Sequence, residues 1–239
     1  MKPILPTVEV QYRRKLAVLP SLEQQLDELL KFTRTIRDFS PLPQEWFLTS
    51  DRSKEDALQH RAFDEGGAAA NALALLREES GDAKDVRIIS IWNGAERNAE
   101  SIGLTSRCNT LGRPDSVTLR LRAQPVISEW SVGVKWLQSA ITIWSPLFAS
   151  FSPFWYNEKS VFKDRPGVGW MLYLPVSLTT KEIPEARALI PIAGESKKQQ
   201  GTIIVSVTDG PFSDDNPEHI KIANAIEVRL ADQDLLPQY

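Results

Sequence analysis

Cysteine is nearly absent from this chain and histidine almost as scarce: 239 residues hold one cysteine, Cys108, and two histidines, His60 and His219. A single cysteine excludes an internal disulfide and fits a reducing compartment. A catalytic thiolate would need a base, and neither histidine stands in a context that suggests a Cys/His pair, so Cys108 reads as a buried, idle thiol. Long apolar runs are missing too. No stretch comes near the roughly 18 uninterrupted apolar residues of a membrane span. The Met-Lys-Pro start lacks the apolar core of a secretory signal. The expectation is a cytoplasmic protein with no membrane partner. Catalytic signatures are equally wanting: there is no Gly-x-Ser-x-Gly elbow, Walker A loop, Gly-rich dinucleotide turn, His-Glu-x-x-His or Cys-x-x-Cys. No cofactor is expected, and no enzyme beyond one working through carboxylates alone.

What remains is an ordinary globular composition, long enough for one large core, so the expectation is a single domain over residues 1–239. The net charge of −3 is too small to argue for direct nucleic-acid binding, but it is unevenly spread. Residues 41–85 and 209–239 each carry about −5, whereas 1–40 carries +2 and 86–208 carries +5. Two acidic segments meeting in space would form an electronegative face suited to a basic partner.

Along the chain, the Pro-rich first 20 residues, with Arg13-Arg14-Lys15, read as an extended arm or edge strand. Ser21 opens a helix with Gln24 three positions on, a capping-box pattern, and Leu22, Leu26, Leu29, Leu30 and Ile36 line one face until Ser40-Pro41 ends it. A second helical region is expected over 53–79, broken or closely packed at Gly66-Gly67. Val86–Trp92 and the alternating stretch around Val117, Leu119 and Leu121 read as strands. Trp130, Val134, Leu137, Ile141 and Trp144 recur at helical spacing. Phe148–Tyr156 reads as an aromatic connection, Val168–Leu174 as a buried strand, and 177–200 as a loop with one short helix at most. Thr202–Val207 is a β-branched strand, Asp209–Asp215 a polar turn, and Asn216 can cap a helix with Pro217 in its first position and Ile222, Ala223, Ile226 and Leu230 on its apolar face. Helices at the start, middle and end around four to six strands point to an α+β fold, a mostly antiparallel sheet covered by helices.

Asp209, Asp214, Asp215, Glu218 and His219 crowd one region. Such oxygen-rich clusters attract hard cations, but the spacing matches no EF-hand loop. Helix-capping acids in a solvated loop and a partner contact both remain open readings. Of the seven tryptophans, Trp130, Trp136, Trp144 and Trp170 sit in apolar patterns and read as core; Trp92, followed by the turn Asn93-Gly94, could instead be presented to a partner.

Three stretches carry a family likeness. Residues 201–230, from Gly-Thr-Ile-Ile-Val through Asp-Gly-Pro-Phe-Ser-Asp-Asp-Asn-Pro to the helix ending at Leu230, resemble the C-terminal signature of the immunity protein 52 family of bacterial polymorphic toxin systems. Gly169-Trp170-Met171-Leu172-Tyr173-Leu174 resembles that family's aromatic central strand, and Trp144-Ser145-Pro146 the Trp-x-Pro at the end of its middle helix. The likeness runs from about Leu22 to Pro237. It implies a cytoplasmic inhibitor without chemistry of its own. Such a protein neutralises a cognate secreted nuclease toxin of the restriction-endonuclease-like kind, in some systems delivered by type VI secretion, by stoichiometric binding that covers the cleft or blocks toxin assembly. The alternatives from other classes are a carboxylate-dependent hydrolase using Asp209–Glu218 and a chaperone-like secretion-system module. For an inhibitor, the interface is expected on Trp92, Asn93, Asp209, Phe212, Asp214, Asp215 and Glu218. The acids would complement a basic nuclease cleft, and Trp92 and Phe212 would serve as apolar anchors.

Overall fold

The structure, a computed structural model, describes residues 6–15, 18–38, 45–81, 85–122, 127–194 and 198–239. In chain order the elements are β1 (Pro6–Tyr12), α1 (Leu22–Asp38), β2 (Phe47–Leu48), α2 (Lys54–Ala57), β3 (Phe63–Asp64), β4 (Gly67–Ala68), α3 (Ala70–Ser80), β5 (Val86–Trp92), β6 (Ile102–Asn109), β7 (Asp115–Leu121), α4 (Trp130–Trp144), β8 (Phe148–Pro153), β9 (Met171–Leu174), β10 (Ala188–Ala193), β11 (Gln199–Val205) and α5 (Pro217–Asp232). The α+β class holds, but four to six strands was too few: nine strands form one sheet in the order β10-β11-β9-β8-β1-β7-β6-β5-β2, and β3 and β4 form a separate hairpin. The chain divides into two compact units, Met1–Val10 with Gln124–Tyr239, and Gln11–Ala123.

In the first unit, β8, β9, β11 and β10 pair antiparallel. Both faces of β9 are covered. Met171, opposite Phe151 in register, faces α4 at Gly133, where a Cβ would come within 2.8 Å of both side chains. Leu172 and Leu174 face a second core with Ile204, Ile226 and Leu230, the last two from α5. A strand buried on both sides shows a continuous apolar run instead of alternation, which is why Met-Leu-Tyr-Leu is unbroken. α4 ends where Ser145 takes a left-handed conformation (φ 45°) and its N–H bonds the Ile141 carbonyl at 2.9 Å, with Pro146 preventing further turns.

In the second unit, β7, β6, β5 and β2 pair antiparallel in turn. Ile89, Ile91, Leu104, Val117 and Leu119 point inward and are buried, while the alternate residues are half-buried or exposed. Ser21 caps α1 by accepting the Gln24 N–H at 3.0 Å, and Leu26, Leu29, Phe32 and Ile36 form its buried stripe. The interior polar group Gln25 donates to Ser106 Oγ (2.9 Å) and accepts from Arg87 Nε (2.8 Å).

Several local expectations are corrected. The N-terminal segment is no edge strand: β1 has a neighbour on either side in the sheet order, and Val8, Val10 and Tyr12 are buried at strand spacing. The helix expected over 53–79 is the single-turn α2, a hairpin, and α3. Glu65 and Gly66 make the hairpin turn, where Asp64 Oδ1 accepts the Gly66 N–H at 3.0 Å, and Gly67 opens β4 at φ +132°. Phe148–Pro153 is a strand, not a connection, and 177–200 contains β10 and the start of β11. Ser40-Pro41, expected to end α1, lies outside the described residues.

Candidate partner-binding site

The acidic segment expected to meet a partner is a built loop on the first unit. Below it, Ser206 Oγ donates to the Gly169 carbonyl at 2.6 Å and Trp170 Nε1 donates to the Val207 carbonyl at 2.9 Å, fixing the exit from β11. Gly169 has φ +49°, and a Cβ there would fall 2.3 Å from Ser152 Cβ. Phe212 then turns inward. It is 1% exposed and meets Tyr156 edge-on at 5.5 Å and His219 at 5.4 Å. His219 Nδ1 accepts the Ser213 N–H at 3.0 Å, which places the ring proton on Nε2, and burial lowers the histidine pKa and favours that neutral form. Asn216 Oδ1 accepts the Glu218 N–H at 3.0 Å, capping α5 with Pro217 behind it. The Lys159 ammonium donates to the Asp214 carbonyl and lies 3.9 Å from the Asp215 carboxylate.

This framework sorts the expected residues. Asp209, Asp215 and Glu218 are exposed on the loop and the first turn of α5; Phe212 and Asp214 are buried. Phe212 is therefore a tether that holds the loop, with its ring already occupied by Tyr156 and His219. On the second unit, Asn93 is 2% exposed and works as a peptide mimic, its Nδ2 donating to the Glu100 carbonyl (3.0 Å) and its Oδ1 accepting the Ile102 N–H (2.9 Å). Trp92 is half-buried, 6.4 Å from the Phe47 ring, with Lys54 Nζ 5.6 Å from its own ring. The two candidate regions thus belong to different units.

Two buried polar centres went unnoticed in the sequence. Glu227 is 1% exposed; its Oε1 accepts from Tyr156 Oη (2.5 Å) and Val168 N–H (2.9 Å), and its Oε2 from Val161 N–H (2.8 Å). It closes both ends of the 161–168 loop against α5. Burial raises its pKa, and the three donated hydrogen bonds oppose that shift. A signal existed, since Glu227 follows Ala223 by four and precedes Leu230 by three on the buried face. The second centre is Arg14, whose guanidinium bonds Glu28 (3.0 and 3.2 Å), Asp115 (3.0 Å) and Tyr12 Oη (3.0 Å), and reaches Cys108 Sγ at 3.4 Å. Cys108 is fully buried there, and desolvation raises its thiol pKa, the setting of an inert cysteine. Among the described residues, no group of three or more His, Cys, Asp or Glu side chains is placed to hold a metal ion. No described helix is long and apolar enough to cross a membrane.

No curated protein matches the chain in sequence. A solved structure described as the Pseudomonas aeruginosa T6SS protein PA0821 is similar at a TM-score of 0.51 and 11% identity, over 94% of this chain and 76% of that one, a likeness of fold alone. The model of the Imm52 family, immunity protein 52, matches residues 21–238, and the chain belongs to that family.

Proposed function

We propose that this protein is the immunity partner of a secreted nuclease toxin and neutralises it by forming a stable stoichiometric complex, with the Asp209–Glu218 loop facing the toxin. The observation that carries the reading is the loop's construction. Three carboxylates, Asp209, Asp215 and Glu218, stand in solvent on a segment pinned by the Phe212 tether, the Ser213–His219 bond and the Asn216 cap. A pre-ordered loop loses little entropy on docking, and its carboxylates complement a cleft that must attract phosphates. Family membership supplies the toxin as the partner class, and the likeness to a type VI secretion protein suits delivery by that route.

Protection from a lethal enzyme requires near-complete occupancy, so the expected dissociation constant is nanomolar or tighter, about −12 kcal/mol, within reach of an ordinary interface. The test is co-expression with the cognate toxin domain followed by co-purification and titration. A nanomolar one-to-one complex and cell survival are expected. Survival without a complex, or only micromolar binding, would overturn the reading. Reversing Asp209, Asp215 and Glu218 to Lys together should slow association and flatten its salt dependence; an unchanged rate would remove the loop from the interface.

A further inference from the structure

The turn joining β6 to β7 in the second unit runs from Asn109 to Asp115 and is cross-braced along most of its length. Asp115, 3% exposed, accepts the Asn109 N–H on Oδ1 at 2.8 Å and the Arg14 Nε–H on Oδ2 at 3.0 Å. Asn109 Oδ1 accepts the Leu111 N–H at 3.0 Å, and its Nδ2 reaches the Arg113 and Pro114 carbonyls, both at 3.2 Å. Thr110 is held from the side by Asp85, whose carbonyl accepts its N–H at 2.9 Å and whose carboxylate accepts its hydroxyl at 3.0 Å. Arg13 Nη1 donates to the Gly112 carbonyl at 2.7 Å, and Gly112 turns the chain at φ +73°. At the tip of this frame stands Leu111, 54% exposed, and the exposed guanidiniums of Arg13 and Arg113 belong to the same turn.

A lone exposed aliphatic residue is ordinary on a protein surface; the setting of this one is not. Asn109, Gly112, Pro114 and Asp115 are residue types that close turns, so the turn's geometry does not depend on the leucine side chain. A loop already fixed loses little entropy on docking, and full burial of a leucine strengthens binding about tenfold to a hundredfold. The exposed Asp85, tied to Thr110, is outweighed by the two guanidiniums, so the complement of this tip is acidic. We propose that this turn is a second docking element, which inserts Leu111 into an apolar pocket of the toxin whose rim presents carboxylates to Arg13 and Arg113. The inference rests on the toxin-binding reading above and adds a contact on the second unit. An anionic membrane fits less well, since even one acyl chain anchors a protein only marginally and the tip supplies a single leucine with two guanidiniums.

The test titrates the cognate toxin domain against the full chain and four variants, L111D, L111M, R113E and R13E/R113E, each checked by circular dichroism for retained fold. Arg13 also braces Gly112, so R113E reads the charge without disturbing that bond. A loss of affinity of about tenfold or more is expected for L111D, with L111M close to wild type. Both arginine variants should associate more slowly and lose part of the salt dependence. Wild-type affinity in L111D together with an unchanged association rate in R113E and R13E/R113E, against a stable wild-type complex, would overturn this inference and leave the function standing. No complex with the wild-type chain would overturn both. Two further results would overturn the partner class: a wild-type self-association in sedimentation that L111D abolishes, and co-sedimentation with phosphatidylglycerol vesicles that the same variant abolishes.

Discussion

Replacing Glu227 by Ala tests whether the buried carboxylate holds the first unit together. The change leaves three donors, Tyr156 Oη and the N–H groups of Val161 and Val168, without their acceptor in a site where Glu227 is 1% exposed. An orphaned buried donor costs about 1–3 kcal/mol, and water entering the truncated site offsets part of the total, so a loss of about 3–5 kcal/mol is expected. For a chain of this length, each kcal/mol moves the melting temperature by about 2–4 °C, which places the E227A shift at roughly 6–20 °C. Glu227→Gln should cost less, about 1–3 kcal/mol, because its amide oxygen still faces Tyr156 and Val168 and only the amide nitrogen confronts the Val161 N–H. The pH dependence has a definite sign. Burial raises the folded-state pKa of Glu227 above the ordinary glutamate value, so its stabilising contribution is full below that ordinary value and falls as pH rises through the raised one. The advantage of wild type over E227Q should accordingly shrink as pH rises above about 4.5, the ordinary glutamate value. Scanning calorimetry across that window measures both quantities. An E227A melting point within about 2 °C of wild type, or a wild-type advantage over E227Q that grows with pH, would refute the reasoning.

In the second unit, Arg14→Ala should cost about 3 kcal/mol or more by urea denaturation, because Asp115, 4% exposed, loses its guanidinium; Arg14→Lys should recover only part, since lysine lacks the planar fork. Gly201→Ala places a Cβ 2.4 Å from the Tyr173 ring and 2.7 Å from the Leu174 carbonyl oxygen, and a lower unfolding midpoint by about 1–3 kcal/mol is expected. Cys108, fully buried, should resist aromatic disulfide reagents until the chain unfolds; rapid native-state labelling would contradict that burial.

Where local chemistry decides, the elements were legible. Ser21 with Gln24, and Asn216 with Pro217, marked the starts of α1 and α5, and the alternation of Val117, Leu119 and Leu121 marked β7. Where tertiary cover decides, they were not. β6 carries Gly103, Thr105, Ser106 and Arg107, a weak strand pattern until Ser106 finds Gln25 inside. β10 contains Pro191, which suggests a loop until the strand is seen at the end of the sheet order, where proline is tolerated. At the candidate site, composition marked the acids, of which Asp209, Asp215 and Glu218 are exposed and Asp214 is buried. Phe212 in a polar loop is equally consistent with an anchor for a partner and a tether for the loop; only its contact with Tyr156, 56 residues earlier in the chain, distinguishes them.

That tethered loop bears on what a family likeness can transmit. Gly169, Trp170, Gly201, Ser206 and Asn216 occupy positions set by a close backbone approach, a left-handed turn, a buried hydrogen bond or a helix cap. They are also among the letters by which the chain resembles its relatives. Asp209, Asp215 and Glu218, interleaved with them, carry no such duty: Asp215 lies 3.9 Å from Lys159 and Glu218 3.9 Å from Lys221, exposed pairs worth about 1 kcal/mol at most. In the proposed complex, recognition of the toxin can therefore be rewritten at these positions while the scaffold, and with it the family signature, stays intact. On that proposal, two members alike in every signature residue would guard against different toxins, and exchanging these three exposed side chains would shift one specificity toward the other.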